Sequence, residues 1–408
     1  MKEPIVSASP LAPGQSGSGQ AAHIPALDGV RGLAILIVLM HQLILDLPAP
    51  DPRLTHWLTP LQAGWVGVQL FFVLSGFLIT GILLDTRDAS NYWSSFFMRR
   101  SLRIFPPYYL LLILFFLVLP ALGMVSPEHR VENQHQSWYW FYVANWYGVF
   151  RDGEGVTALG NCWSLSVEEQ FYLIWPFVVR GLRPATLARV CVAIVAGALL
   201  LRIALVMTHV SSKIVYENTF TRADALAVGA LVALLIREPA WLPSLRRHLT
   251  AASWLATIGL LGMFLASGGL TRTNGLSLTL GHTLLAAASG LLILLVIRGG
   301  EASRSSLPVS LMSGALIRLF GRRSYAIYLF HGPLNFFVAH RLLAVIVPRH
   351  LGLWRMMALQ GAYLVVGCFS LLGGSMVFER IFERPILGLK RLFVANLPAT
   401  APADLADR

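Results

Sequence analysis

A histidine and an arginine share the first apolar segment of the chain. Arg31 stands at its start and His41 follows ten residues later. At a rise of 1.5 Å per residue, a helix would place His41 about 15 Å deeper than Arg31. An imidazole titrates near neutral pH and can act as a general base. The spacing therefore makes His41 a candidate catalytic residue; the alternative is a buried histidine that only bonds a neighbouring helix.

Two adjacent carboxylates enter a later apolar segment. Glu168 and Glu169 stand in the sequence WSLSVEEQFYLIWP. Ionisable side chains inside membrane segments are costly, so they usually face a cavity, a pathway or an opposite charge. A structural salt bridge is one explanation, but two neighbouring glutamates favour a wet cavity.

A basic motif, RRSLRIFPPYY, precedes the third apolar run. Arg100 and Arg103 are three residues apart, so they share one face at the predicted start of a helix. Planar guanidinium groups suit phosphate recognition. The alternative is an ordinary positively charged anchor at the cytoplasmic surface.

Small and charged residues mark two further segments. Ser75 and Gly76, in FFVLSGF, form a surface that another helix or a ligand can approach closely, and packing explains it as well as function does.

Arg222 and Asp224 open a later segment in RADALAVG. A local ion pair that holds the helix end explains these two as well as substrate binding does.

A polar stripe is predicted in the ninth apolar segment. Tyr325, Tyr328 and His331 recur every three residues in SYAIYLFHGP, so one face of a helix would carry all three.

Membrane helices must position these side chains. Of 408 residues, 56% are hydrophobic and 13% are charged, whereas soluble domains carry about 25% charged residues. Runs of about 20 apolar residues, enough to cross a bilayer, recur along the chain. We predict an all-α polytopic membrane protein, a single bundle of about ten transmembrane helices near 31–47, 64–84, 104–123, 162–180, 186–207, 222–237, 250–268, 277–298, 324–347 and 356–380.

Charge distribution predicts the orientation of this bundle. With the N-terminus in the cytoplasm, the inner loops and tail hold twenty Lys and Arg residues and the outer loops hold eight. The positive-inside rule then places both termini in the cytoplasm. The net charge of +12 does not indicate nucleic acid, because the basic residues form short clusters between apolar runs. Three scattered cysteines show neither metal-ligand spacing nor a disulfide framework, so no metal is predicted.

The domain organisation is simple. Residues 1–23 are predicted to be a disordered tail, 24–390 the transmembrane domain and 391–408 a second tail. The longest outer loop, about 124–161, is rich in aromatic residues. It is expected to lie at the membrane interface and to contain a short extra helix.

The motifs LDGVRG, FFVLSGF, RRSLRIFPPYY, WSLSVEEQFYLIWP, RADALAVG, SYAIYLFHGP and ERP, in this order, resemble the acyltransferase 3 family. The resemblance covers about residues 24–390. It implies a multi-pass protein of the cytoplasmic (inner) membrane that moves an acyl group, most often acetyl, from cytoplasmic acyl-CoA to a hydroxyl of an extracytoplasmic carbohydrate or glycolipid. Acyl-CoA is then a co-substrate, and no tightly bound cofactor is expected.

The resemblance also implies roles for the residues. Arg31, Arg100 and Arg103 would bind coenzyme A phosphates, His41 would remove the acceptor proton, and Glu168 would orient His41 or balance its charge. An acyl-histidine intermediate stays open. The remaining candidates would line the substrate cavity: Ser75, Glu169, Arg222, Asp224, Tyr325, Tyr328 and His331.

The sequence departs from the family pattern in its first helix. The family usually separates the arginine from the histidine by ten residues, whereas nine intervene here, and Gln42 occupies the expected position. On a helix, ten steps leave His41 about 80° away from the face of Arg31. Many family members also carry a soluble hydrolase-like domain after the last helix. This sequence ends soon after that helix, so we expect the chain to act alone or with a separate partner protein.

Two other functions remain alternatives. A transporter or flippase without chemistry would also need a bundle with buried charge, although the order of the family motifs argues against it. Acylation of a small secondary metabolite, such as a macrolide, would share the donor site and differ only in the acceptor cavity.

Overall fold

The computed structural model describes residues 24–45, 63–124, 127–150, 158–238, 240–302, 307–338 and 353–397. Within these ranges every regular element is a helix, which confirms the prediction of an all-α fold.

Eight helices lie within the described part of residues 24–207. In chain order they are α1 Pro25–Leu45, α2 Val66–Asp85, α3 Tyr92–Ile113, α4 Pro127–Gln134, α5 Ser137–Trp140, α6 Ala144–Phe150, α7 Cys162–Gly181 and α8 Pro184–Met207. A π-helical turn, Leu114–Val118, and a last turn, Leu119–Ala121, extend α3.

The described residues after 211 form nine more helices. They are α9 Ser212–Glu217, α10 Thr219–Leu235, α11 Leu242–Ala266, α12 His282–Ala302, α13 Leu307–Met312, α14 Ala315–Arg322, α15 Ser324–Phe337, α16 Leu353–Phe378 and α17 Arg384–Leu387. Wider π-helical turns, Ser277–Gly281 and Glu379–Glu383, precede α12 and α17, and a 3-10 helix, Gly388–Phe393, follows α17.

Among the described residues, 8 helical stretches are long and apolar enough to cross a membrane. They match eight of the ten predicted spans. Predicted span 162–180 corresponds to α7, which is 20 residues long but carries Glu168, Glu169 and Arg180. Predicted span 324–347 corresponds to α15, and its part beyond 338 lies outside the described residues. The chain is a multi-pass membrane protein.

Three helices begin well ahead of the predicted membrane spans. Helix α1 begins at Pro25 rather than at 31, α3 at Tyr92 rather than at 104 and α11 at Leu242 rather than at 250. Arg31 and Arg100 therefore lie inside helices. Apolar runs mark the lipid-facing part of a helix, but the backbone stays helical wherever charged side chains face protein or a cavity instead of lipid.

Glycines bring the central helices into direct backbone contact. A Cβ atom at Gly76 would collide with the carbonyl oxygen of Leu226, and a Cβ at Gly229 would collide with that of Val73. Helices α2 and α10 therefore cross at these two glycines. Small residues permit such crossings in membranes, where close packing drives helix association. The predicted close approach of another helix is confirmed at Gly76.

The outer helices present apolar side chains away from the bundle. In α11, Trp254 is 65% exposed, Leu255 70% and Leu265 71%. Exposed apolar faces of this size suit lipid rather than water.

The loop between α3 and α7 folds back onto α3. It contains three short helices, α4 to α6, where the sequence predicted one. The ring of Tyr142 stacks on that of Tyr108 at 4.1 Å between centroids, and the Tyr108 hydroxyl donates to the carbonyl of Tyr139 at 2.9 Å. Burial raises the pKa of the Tyr142 phenol, which therefore stays neutral in this aromatic layer.

The crossing of α2 and α10 should be intolerant of any side chain. We expect Gly229→Ala to lower the free energy of unfolding by about 1–3 kcal/mol, as overpacking of a closed contact does. Gly197→Ala in α8 is the control, because a Cβ there meets nothing within 4 Å. Thermal unfolding of the purified variants in detergent measures both. Equal midpoints for the two variants would contradict the crossing.

Candidate active site

One cavity of about 100 Å³ collects most of the predicted site residues. It lies among α1, α2, α3, α7 and α15. The arginines Arg31, Arg100 and Arg103 line it, and so do the glutamates Glu168 and Glu169. Three more predicted site residues also line it, namely Ser75, Tyr325 and Tyr328. Residues that are more than 290 positions apart in the chain thus meet around one space.

A polar stripe on α7 forms one side of the cavity. Ser164, Glu168 and Tyr172 all line it and follow one another at intervals of four residues. At 1.5 Å per residue the stripe runs over about 12 Å, with Glu168 in its middle. Ser164 and Tyr172 were not predicted as site residues. Their spacing from Glu168 was the available signal, since residues four apart share a helix face.

Guanidinium groups dominate one end of this stripe. The Arg100 ζ-carbon lies 4.6 Å from the centroid of the Tyr172 ring, and the Tyr172 hydroxyl bonds the Ser75 hydroxyl. Arg31 forms an ion pair with Asp28 at 3.7 Å. In the part of the chain that the structure describes, neither Arg100 nor Arg103 has a carboxylate partner. Their N–H donors are available to a ligand.

Hydroxyl groups occupy the other end. The Ser164 and Tyr328 hydroxyls are 2.5 Å apart, and Asn161 Nδ2 donates to the carbonyl of Tyr328 at 2.6 Å. On the arginine side, the Tyr325 hydroxyl donates to the carbonyl of Ile104, the residue after Arg103, at 2.8 Å. These bonds hold both tyrosine side chains against the wall.

The two predicted histidines do not line the cavity. His41 is buried in α1 beside Gly64, where a Cβ atom would collide with the Cβ of His41. This position agrees with the angle of about 80° that ten helical steps leave between His41 and Arg31. His331 donates from Nδ1 to the carbonyl of Tyr328 at 2.5 Å. The catalytic role of His41 and the substrate contact of His331 stay predictions.

Arg222 and Asp224 also lie outside the cavity lining. Asp224 accepts from Arg202 at 2.8 Å, and both side chains are fully buried. The local ion pair with Arg222, the alternative from the sequence, is not formed. Arg202 in α8 also donates to the Thr283 hydroxyl at 2.6 Å. Arg202 was missed, although a single arginine within an apolar run signals a buried partner.

Comparisons with known proteins identify the family of this chain. A family model described as an acyltransferase domain matches residues 24–380. The chain belongs to the acyltransferase 3 family. Its similarity extends to the peptidoglycan O-acetyltransferase OatA of Listeria monocytogenes, which is 30% identical over 76% of this chain and 49% of the relative. The putative peptidoglycan O-acetyltransferase YrhL of Bacillus subtilis is 31% identical over 76% and 48%. The O-acetyltransferase OatA of Staphylococcus aureus is 26% identical over 78% and 51%.

The chain thus spans about half the length of these curated relatives. No solved structure matches it.

The buried pair of Arg202 and Asp224 should stabilise the bundle as a unit. Asp224→Ala leaves an unpaired buried guanidinium, so we expect it to cost about 3–5 kcal/mol. The double variant Arg202→Met, Asp224→Ala removes both charges and should recover most of that loss. Thermal unfolding of both proteins and of Arg202→Met gives the coupling energy of the pair. Additive single effects would show that the two side chains do not depend on each other.

Proposed function

We propose that this protein transfers an acetyl group from cytoplasmic acetyl-CoA to a hydroxyl of an extracytoplasmic carbohydrate across the cytoplasmic membrane. The observation that carries the proposal is a single cavity in which three arginines meet two glutamates; among the described residues, Arg100 and Arg103 form no ion pair within 4.0 Å. The printed names of the relatives favour acetyl as the group and peptidoglycan as the acceptor.

The arginine end suits the donor. Coenzyme A carries phosphates, and Arg100 and Arg103 offer planar donors that no described carboxylate occupies. The predicted orientation places this end towards the cytoplasm, where acyl-CoA is found, because the loops on that side hold most of the basic residues. The cavity volume of about 100 Å³ suits the acyl end of the donor, with the adenosine held outside.

In the proposed reaction, the acetyl group moves from the thioester sulfur of coenzyme A to the acceptor oxygen. The acceptor hydroxyl attacks the carbonyl carbon of the thioester, a C–O bond forms and the C–S bond breaks. The hydroxyl proton passes to a base, and the departing coenzyme A thiolate takes up a proton. Proton transfer by a positioned side chain contributes typically about 10²–10⁴-fold to such a reaction.

Two groups compete for the role of the base. His41 was assigned it from the sequence, and Glu168 faces the cavity directly. A carboxylate in that position can accept the proton itself or orient another base. The tyrosine and serine hydroxyls at the far end can donate to the acceptor or to the carbonyl oxygen of the acyl group.

Arg103 should act on the donor rather than on the acceptor. Loss of a charge-assisted hydrogen bond costs about 1.5–3 kcal/mol, so Arg103→Ala should raise the KM for acetyl-CoA by roughly 10–150-fold. The KM for soluble peptidoglycan fragments should stay within about twofold. Arg99→Ala is the matched control, because Arg99 lies on the same helix but outside the cavity lining. An unchanged donor KM for Arg103→Ala would assign Arg103 to membrane anchoring.

Substitution of His41 separates the two candidate bases. If His41 is the general base, the substitution His41→Ala should lower kcat by about 10²–10⁴-fold. Gln42→Ala, at the position where the family places its histidine, should stay within tenfold of the unaltered protein. Transfer of radiolabelled acetyl by purified, folded variants measures both. If the kcat of His41→Ala is within tenfold of that of the unaltered enzyme, His41 is not the general base. Glu168 then takes this role, and Glu168→Gln should abolish turnover.

A further inference from the structure

The last described residues, 388–397, fold back onto the start of α3. Asn91 Nδ2 donates to the carbonyl of Val394 at 2.7 Å. The Ser95 hydroxyl donates to the carbonyl of Phe393 at 3.0 Å. Asn91 stands directly before α3, yet its side chain bonds this segment instead of capping the helix. Side-chain hydrogen bonds therefore fix the position of segment 388–397 on α3.

The direction of this segment determines where Lys390 lies. The residue that Val394 bonds lies four positions before Ser95, the residue that Phe393 bonds, so the segment runs antiparallel to α3. Lys390 precedes Phe393 by three residues, which span about 6 Å in a 3-10 helix and share one face of it. Lys390 is therefore displaced along α3 towards Arg103, which follows Ser95 by two intervals of four residues.

Lys390 joins a group of cations at the arginine end of the cavity. Arg100 and Arg103 line the cavity, whereas Lys390 is half-buried outside its lining. Arg103, Arg100 and Glu383 all lie within electrostatic range of the Lys390 ammonium group. Among the described residues, none of the three cations forms an ion pair within 4.0 Å. Like charges this close repel one another, so an anion bound between them would be stabilised.

Coenzyme A carries phosphate at two separate places. Its diphosphate lies nearer to the thioester, and a phosphate monoester is attached to the ribose 3′-hydroxyl at the adenosine end. When the acyl end occupies the cavity, the diphosphate is the first to meet the lining arginines, Arg100 and Arg103. The monoester then lies outside the cavity, on the side where Lys390 stands. An ammonium group on a flexible stem binds phosphate as a point charge.

We propose that Lys390 binds the 3′-phosphate of the coenzyme A donor and thereby distinguishes coenzyme A from its 3′-dephospho form. Segment 388–397 holds the lysine at the arginine end of the cavity through its bonds to Asn91 and Ser95. This assignment rests on the proposed function, because it adds a phosphate contact to the donor site of that reaction.

Binding experiments without an acceptor test the site directly. The probes are coenzyme A and 3′-dephospho-coenzyme A, measured by calorimetry on the purified full chain in detergent. The unaltered protein should bind coenzyme A about tenfold or more tightly than the dephospho form, as expected for one charge-assisted hydrogen bond. Lys390→Ala should lower that affinity ratio by roughly tenfold and leave the affinity for the dephospho form unchanged.

Two further variants serve as controls for Lys390→Ala. Arg391→Ala removes the adjacent, exposed cation of the same 3-10 helix and should keep the affinity ratio. Lys390→Arg keeps the positive charge and should retain most of the preference. If Lys390→Ala cannot be purified, Lys390→Gln replaces it, because glutamine removes the charge and keeps much of the apolar stem.

Stability separates a binding role from a structural one. Lys390→Ala removes one of three like charges, so its unfolding temperature without ligand should equal or exceed that of the unaltered protein. At one fixed concentration of coenzyme A, the unfolding temperature should rise less in Lys390→Ala than in the unaltered protein, because weaker binding stabilises the folded state less. An anchor to anionic lipid headgroups would leave the affinity ratio unchanged in Lys390→Ala. That result, or equal binding of the two nucleotides by the unaltered protein, would overturn the assignment.

An acetyl-transfer assay distinguishes this proposal from the function on which it rests. Lack of transfer from acetyl-CoA to any carbohydrate fragment, together with a Lys390-dependent affinity ratio, would refute the acetyltransferase function and retain the phosphate site. Transfer that proceeds in Lys390→Ala with an unchanged KM for acetyl-CoA would refute the phosphate site and retain the function.

Discussion

Charge inside hydrocarbon is the constraint on which the arrangement of this bundle depends. A membrane helix has no water to solvate an arginine or a glutamate, so each must face a partner, an aromatic ring or a shared cavity. The described helices satisfy this requirement in three ways. Arg202 is paired with Asp224, Arg222 is enclosed by aromatic rings, and Arg100 faces the cavity over Tyr172. The polar groups thereby fix which faces of α2, α3, α7, α8 and α10 turn inwards.

Close backbone packing makes that arrangement possible. The crossing at Gly76 and Gly229 brings α10 onto one side of α2, and α1 packs on α14 in a similar manner through Gly32 and Gly321. Small residues are needed because lipid offers no hydrophobic driving force between helices, and association then depends on contact and hydrogen bonding. The cavity remains where larger polar side chains keep α1, α3, α7 and α15 from closing.

The cavity has two chemically different ends, and this asymmetry suits a transfer reaction. Arg31, Arg100 and Arg103 lie at one end, bonded hydroxyls lie at the other, and Glu168 stands between them on α7. A transporter needs buried charge as well, but the chain belongs to a family of acyltransferases. The fully buried Arg222 lies outside the cavity lining, against the Phe72 ring.

The all-α membrane fold and eight of the residues that line the cavity could be predicted from the sequence alone. They follow from apolar run length and from residue types that lipid makes expensive, both of which are local properties, and the family follows from the order of the motifs. The pairing of Asp224 with Arg202, the presence of Tyr172 and Ser164 in the site and the positions of His41 and His331 outside its lining required the folded bundle. Helix rotation, starting points and the choice among distant partners depend on how helices pack against one another, and no single segment contains that information.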